Sequence, residues 1–377
     1  MKEITILALH LGYGGIERAI SMVANALSSE YNVEIVSTYK LYDKPIFSLN
    51  ENISVKYLLS DKPNRNEFIK ALKKLNFIAA LKEGIKAIKI LKMKKTYMIN
   101  YIKNCDSDII ISTRDIHNSW LGTYGSKNCL KIGWEHNHHN NNNKYINKVV
   151  KSVKNLDYFV LVSKELNDFY QSKLINTKCK CVYIPNAIDN IPSEPSSLDE
   201  KNLISIGRLS KEKGFLDLID VYKIVHESFP EWKLNIIGDG VLRNKIEKKI
   251  DGYGLSDSVN LHGYKTTDYV NKMLKSSSIY IMTSFTESFG IVLLEAFSYG
   301  IPAVSFTSAR GANEIITNNW DGYLIKNRNK EEMAKRICEL ISGHNRRVVM
   351  GNNALKKANK FYIDEIKNKW ILLIEKG

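Results

Sequence analysis

A chain of 377 residues with 44% hydrophobic and 25% charged side chains holds enough apolar material for two domains with separate cores, and excludes a disordered or fibrous protein. No apolar run reaches the roughly 18 residues a spanning helix needs, so a transmembrane helix is excluded as well. The formal net charge of +15 asks for an acidic partner: nucleic acid, anionic lipid or a phosphorylated substrate.

The N-terminus, Met1-Lys-Glu-Ile-Thr-Ile-Leu, carries an acid and turns strand-like at once, unlike a signal peptide, so a cytosolic chain is expected. The five cysteines are irregularly spaced. Cys179 and Cys181 form C-x-C rather than the C-x-x-C of zinc or redox sites, and reduced structural thiols are expected.

Residues 4–9 read as a strand, followed by the glycine-rich turn His10-Leu-Gly-Tyr-Gly-Gly15. Ile16, Ile20, Val23 and Leu27 then recur at helical spacing. Strand, glycine turn and helix open a doubly wound domain. Glu17 stands where a dinucleotide fingerprint needs its third glycine, so that fingerprint is absent. Gly14-Gly15 still lets the backbone approach a diphosphate, or serves as a tight turn only. Val33–Ser37 and Ile53–Leu58 read as further strands. Residues 65–103 read as basic helices: an apolar stripe with lysines on the other faces, suited to an anionic membrane surface or to an ordinary solvated face. Asp106-Ser-Asp108 precedes the strand Ile109–Ser112 and reads as a turn. His117 follows that strand and is placed on a loop on the ligand side, where a neutral imidazole can polarise a hydroxyl. The strand Cys129–Gly133 runs into Trp134-Glu-His-Asn-His-His139 and an asparagine run. The histidines there could bind zinc, but metal-ligand spacing is missing and a polar acceptor-side loop is favoured, with Glu135 and His136 as its candidates. Leu156–Ser163 and Val182–Ile184 are further strands, and residues 189–200, rich in Pro, Ser and acid, read as a linker.

The α/β pattern then restarts. Leu203–Ile206 is a strand whose exit loop carries Arg208 and Lys213, a guanidinium fork and a point charge of the kind that holds a diphosphate. A helix around Leu216–His226 and a strand over Trp232–Ile237 come next. Ile279–Met282 and Ala303–Phe306 read as buried strands flanking SFTESFGIVLLEAFSYGIP, residues 284–302. Glu287 falls where strand hands over to helix, behind a Ser/Thr/Glu N-cap region, and Glu295 is expected about two turns into the helix, which Gly300 and Pro302 close. A helix N-terminus there favours a phosphate, and the two carboxylates suit sugar or ribose hydroxyls. The spacing alone fits two surface glutamates equally well. The segment 364–375 reads as a final helix.

Glu287 and Glu295, with Phe289-Gly290 between them, resemble the E-x7-E motif of retaining GT-B glycosyltransferases, closest to glycosyltransferase family 4. Gly14-Gly15-Ile-Glu-Arg18 resembles that family's G-G-x-E-R start, and Arg208 with Lys213 its donor-phosphate pair. Val259–Tyr264 resembles its strand and glycine turn beside the nucleotide base. Asn318–Leu324 resembles its N-G-x-L turn, with Asp321 in place of the asparagine. The resemblance covers nearly the whole chain and is weakest at residues 40–100 and 134–150.

The resemblance implies an α/β fold of two doubly wound Rossmann-like domains facing across a cleft: an acceptor-binding domain over 1–185, a nucleotide-sugar domain over 186–360, and a helix in 361–377 packing back on the first domain. It implies a retaining, metal-independent hexosyltransferase with no cofactor. Such an enzyme moves a hexose or N-acetylhexosamine from a nucleotide-diphosphate sugar, UDP-linked by prevalence, to a lipid-linked glycan in bacterial surface polysaccharide synthesis. Arg208, Lys213 and the helix start at Phe289-Gly290 would stabilise charge on the leaving diphosphate, with Gly14-Gly15 closing over it. Glu287 would hold the donor sugar, Glu295 the ribose, and His117 would contact the sugar or support the transition state. The expected place is the inner face of the cell membrane, held through the basic helices. A GT-B sugar-nucleotide epimerase is the alternative. A basic nucleic-acid-binding protein is remoter, since no arginine-rich arm, helix-turn-helix or stacking motif is present.

Overall fold

The computed structural model describes residues 1–189 and 191–376; Asn190, inside the expected linker, and Gly377, the last residue of the expected C-terminal helical segment, lie outside them. The chain divides into two compact units, Met1–Ile184 together with the segment from Ile366 onward, and Pro185–Glu365.

The first unit contains strands β1 (Glu3–Ala8), β2 (Asn32–Tyr39), β3 (Ser54–Leu59), β4 (Ile109–Ser112), β5 (Leu130–Glu135), β6 (Tyr158–Leu161) and β7 (Lys180–Tyr183). Its helices are α1 (Gly15–Leu27), α2 (Arg65–Lys73), α3 (Phe77–Lys103), α4 (Asp115–Tyr124), α5 (Asn143–Val153) and α6 (Lys164–Leu174). The second unit contains β8 (Asn202–Ile206), β9 (Lys233–Ile237), β10 (Val259–Leu261), β11 (Ile279–Met282), β12 (Ala303–Phe306) and β13 (Gly322–Ile325). Its helices are α7 (Phe215–Ser228), α8 (Arg243–Gly252), α9 (Thr267–Lys275), α10 (Ile291–Ser298), α11 (Arg310–Ile315), α12 (Lys330–Ser342) and α13 (His344–Ala358); α14 (Ile363–Lys376) ends the chain.

Both sheets are parallel, in the orders β3-β2-β1-β4-β5-β6-β7 and β10-β9-β8-β11-β12-β13. A parallel sheet is covered on both faces, so its strands read as unbroken apolar runs; every residue of β4, β11 and β12 is buried. The chain order reverses between β1 and β4 in one sheet and between β8 and β11 in the other. Those switch points are where an open α/β sheet leaves a crevice beyond its strand ends. The segments leaving β1, β4, β8 and β11 carry Gly14-Gly15, His117, Arg208 with Lys213, and Glu287 respectively.

Four expectations change. His117 is not on a loop: α4 begins at Asp115, whose carboxylate accepts the Ile116 N–H at 2.8 Å, and His117 lies in its first turn. β5 runs through Trp134 and Glu135, both buried, instead of stopping at Gly133, because Glu135 stays in register with Leu161 of β6. α10 starts at Ile291 behind Gly290, which makes no side-chain cap, so Glu295 lies little more than one turn in. The segment after Asn190 is not a free linker. Leu198 and Ser196 are buried, Ser196 Oγ donates to the Ser277 carbonyl at 2.7 Å, and the Arg347 guanidinium donates to the Leu198 carbonyl at 2.8 and 3.0 Å. Composition predicts solvation here, but a buried guanidinium requires carbonyl acceptors and draws this stretch of chain inward.

Within the first unit, α14 buries Trp370 edge-on against Trp134 of β5, ring centroids 5.0 Å apart. Its Glu375 accepts from Lys2 at 2.9 Å and from the Tyr31 hydroxyl at 2.8 Å. Asp106-Ser-Asp108 forms a turn at the amino end of β4, where Asp108 caps the Glu3 N–H at 2.8 Å.

Candidate functional site

In the second unit, β8 delivers Gly207 and Arg208 into a short 3-10 turn, Lys211–Lys213, and β11 delivers residues 283–290 beside it. Two contacts to backbone carbonyls join these loops: the Phe285 N–H donates to the Glu212 carbonyl at 2.8 Å, and the Thr283 hydroxyl donates to the Lys213 carbonyl at 3.3 Å. Across that seam the Lys213 ammonium contacts the Glu287 carboxylate directly; both side chains are largely covered. Arg208 stays exposed and pairs with Glu212 at 3.0 Å. A cation and an acid 74 residues apart in sequence thus meet at one point at the carboxyl edge of the sheet.

Gly290 opens α10 with φ +93°, a left-handed backbone that a side chain would strain. That kink turns the chain from the Glu287 loop into the helix and leaves the helix start on the same edge. Phe289 is buried edge-on to Phe361, centroids 5.9 Å apart, so it anchors the turn and offers a ligand only its backbone. Glu295 is buried inside α10 rather than displayed on it.

Sequence reading missed the residue that braces this loop. Arg328, after β13, donates to the carbonyls of Thr283 (2.9 Å) and Ser284 (3.0 Å) and to Ser308 Oγ (2.8 Å), and pairs with Asp217 at 2.5 Å. Its guanidinium lies 3.6 Å from the centroid of the Phe285 ring and 4.5 Å from that of Phe306. No local pattern marks it; its partners come from separate stretches of chain. Asp321 is fully buried, accepting the Thr317 N–H at 2.7 Å and pairing with Lys357 at 2.6 Å, and so closes its turn instead of facing a ligand.

In the first unit, Gly14 packs against Glu17: a Cβ there would stand 2.0 Å from the Glu17 carboxylate. At Gly15 a Cβ would meet nothing within 4 Å. Glu17 is buried, paired with Arg114 at 2.8 Å and with His10 Nδ1 at 3.5 Å. Burial lowers the His10 pKa, opposed by the Glu17 charge. The glycine loop is thereby tied to the turn that precedes α4. His117 is fully buried, its Nε2 3.1 Å from Thr38 Oγ1. Burial pushes its pKa down to about 3, with Lys94 and Arg114 adding to the effect, so the ring is neutral at pH 7.

Glu135 ends β5 and accepts the backbone N–H groups of His136 (3.1 Å) and Asn137 (2.8 Å). Burial raises its pKa, opposed by the hydrogen bonds from Asn137 and Tyr145. His136 lies over Trp134, centroids 4.3 Å apart, and burial pushes its pKa down to about 3. Its Nε2 has no hydrogen-bond partner among the described residues. His138 and His139 stack on each other at 4.5 Å, and His139 on Phe169 at 4.0 Å. Each accepts a loop N–H through Nδ1, which fits a shaped polar loop.

Two parallel, doubly wound α/β units of this kind are the architecture of the GT-B fold, here with cations and a carboxylate at one switch point. The fold agrees: the TarM variant of S. aureus, solved with fondaparinux, alpha-GlcNAc-glycerol and UDP, superposes with a TM-score of 0.80 at 17% identity, over 99% of this chain and 100% of that one. Residues 187–357 match the family described as glycosyl transferases group 1. An exopolysaccharide phosphotransferase of Streptomyces coelicolor is 26% identical over 95% of this chain, which spans only 39% of that protein's length. A Campylobacter jejuni alpha-1,4-N-acetyl-D-galactosaminyltransferase, acting on a GalNAc-containing diphospho-undecaprenol glycan, is 25% identical over 99% of this chain and 98% of its own.

Proposed function

We propose that this chain is a retaining, family 4 hexosyltransferase that moves a hexose or N-acetylhexosamine from a UDP-sugar to a lipid-linked glycan in bacterial surface polysaccharide synthesis. The observation that carries the reading is the Lys213–Glu287 contact at the carboxyl edge of the second sheet, beside the start of α10. A diphosphate needs the cation and a sugar hydroxyl needs the acid. The UDP bound to TarM and the undecaprenol-linked acceptor named for the Campylobacter relative support the donor and acceptor classes.

Breaking the sugar C1–O bond leaves a further negative charge on the diphosphate and an oxocarbenium-like sugar. Arg208, Lys213 and the N–H groups at Phe289-Gly290 stabilise that charge where it grows, which is why the reading asks for no metal. Glu287 holds donor sugar hydroxyls and Glu295 the ribose. In the first unit the open backbone at Gly15, beside Gly14, is suited to phosphate, and neutral His117 is suited to supporting the sugar. Glu135 and His136 are assigned to the acceptor, the free Nε2 of His136 being an unmet hydrogen-bonding group. The acceptor attacks from the face the diphosphate leaves. The basic helices α2 and α3 hold the enzyme at an anionic surface, the inner face of the cell membrane, where such an acceptor resides.

A screen of nucleotide-sugars by melting temperature tests this. A donor at about 100 times its Kd stabilises the fold by roughly 2.7 kcal/mol, a shift of about 5 °C or more. The shifting donor is then given a lipid-linked acceptor and the product anomer read by NMR. No shift and no transfer with any donor, or conversion of the donor without acceptor, overturns the reading.

A further inference from the structure

The longest helix of the first unit leaves an apolar ridge uncovered. On α3, Phe77, Ile78, Leu81, Ile85, Ile88 and Leu91 are between 58% and 85% exposed. From Ile78 they advance by three or four residues, so they form one continuous stripe. The opposite side is the packed one: Ile90 is buried against Tyr39 and Leu59 of the sheet, and further along the helix, past the ridge, Met98 and Ile102 are buried as well. At the turn into α3, Leu75 is exposed as well, and Leu72 of α2 extends the stripe toward it. A soluble helix buries its apolar face; this one buries one face and displays a second.

Along α3 the charged side chains are lysines but for Glu83. From Gly84 to Cys105 the only charged side chains are lysines. Lys82, Lys86, Lys89 and Lys92 are exposed along the stripe. The nearest acid, Glu83, is held by the Asn64 side chain at 2.6 Å. Two copies packed ridge to ridge would crowd these lysine rows together, whereas an anionic bilayer neutralises them and accepts the apolar side chains.

We propose that the ridge of α3 inserts at the boundary between headgroups and acyl chains of an anionic bilayer, so that apolar burial, and not charge alone, holds this enzyme on the membrane. The inference rests on the proposed membrane attachment and adds its mode. It separates from simple electrostatic adsorption in its salt dependence. At about 1 M salt the screening length falls to roughly 3 Å, which removes adsorption by lysine but leaves an inserted ridge in place.

The test is co-sedimentation of the full chain with vesicles of phosphatidylcholine and phosphatidylglycerol, at low and at high salt. Three chains are compared: the native one, I78Q/I85Q/I88Q, and K82E/K86E/K89E/K92E. All the substituted side chains are exposed, and far-UV circular dichroism checks that each variant is folded. The expected result is native binding that survives high salt, a partition coefficient roughly a hundredfold lower for the glutamine variant, and weakened binding for the glutamate variant. Transfer to acceptor lipid embedded in the vesicles falls in parallel, while hydrolysis of the donor in water is unchanged. Native-like binding by the glutamine variant, with release of the glutamate variant or of the native chain by salt, overturns insertion and leaves the electrostatic reading standing. Absence of native binding to any vesicle overturns both. A native dimer that the glutamine variant turns into monomer, without vesicles, overturns insertion in favour of a second copy on the ridge.

Discussion

Lys213→Ala separates a catalytic cation from a structural one. Lys213 contacts Glu287 with side-chain exposures of 24% and 16%, so truncation does two things. It leaves a mostly covered carboxylate without its partner, at about 1–3 kcal/mol of stability. On the proposed reading it also removes a donor to the departing diphosphate, worth about 3 kcal/mol of transition-state energy, or roughly a hundredfold in kcat. A second substitution isolates these effects. In K213A/E287Q the orphaned charge is gone, so the melting temperature recovers toward that of E287Q while kcat stays low. The assay is initial-rate kcat and KM against donor, with thermal melts of the native protein, both single variants and the double variant, with and without UDP. If K213A turns over within a few-fold of the native enzyme, or if the double variant regains its rate along with its stability, Lys213 is only a strut for Glu287 and the diphosphate grip is wrong.

Gly15→Ala fills space that no residue uses, at the first position of α1, so it stabilises by about 0.5–1 kcal/mol; donor affinity falls at least tenfold if that backbone meets phosphate, and unchanged titration of UDP-sugar removes Gly15 from the site. Arg347→Ala leaves the Leu198, Leu340 and Ile341 carbonyls without their buried donor, at about 3 kcal/mol or more in urea unfolding; rapid proteolysis of the native chain within residues 191–200 would contradict the packed segment. Trp370→Ala empties a fully buried site against Trp134 and costs about 3–5 kcal/mol; a loss under about 1 kcal/mol means α14 docks by its rim alone. For pH, His117 and His136 have folded pKa values of about 3 against an unfolded value near 6.5, so the unfolded chain binds the extra protons. Their stability contribution is complete above about pH 6.5 and is lost as pH falls toward 3, by up to about 5 kcal/mol for each histidine. Urea midpoints from pH 7 to 4 check the slope, and a slope that H136N leaves unchanged would mean that His136 is not the buried neutral group described.

Much of the candidate site was legible because its residues sit at strand ends. Parallel strands need apolar side chains on both faces, so β4, β11 and β12 stand out as short unbroken runs, and the polar residues directly after each run mark its exit loop. Right-handed crossovers bring all the carboxyl ends of one sheet to one edge. Arg208, Lys213 and Glu287 could therefore be grouped before any distance was known. His117 was misplaced onto a loop because the first turn of α4 is signalled only by Asp115, and its burial depends on Thr38, 79 residues away. The asparagine and histidine loop after β5 was legible as polar, but its stacking on Phe169 was not.

The amino-acid order by itself determined two α/β units, their strands, and the residue types on each ligand-side loop, since these arise from local periodicity and from glycines whose backbone a side chain would strain. Tertiary structure alone decided which polar groups are satisfied and which are exposed. Glu17 with Arg114, Asp217 with Arg328, and Leu198 with Arg347 are 97, 111 and 149 residues apart, distances at which a side chain leaves no periodic trace of its partner. It also decided that the α3 stripe has two apolar sides, one packed on the sheet and one bare, because periodicity marks a side as apolar without saying whether the fold ever covers it.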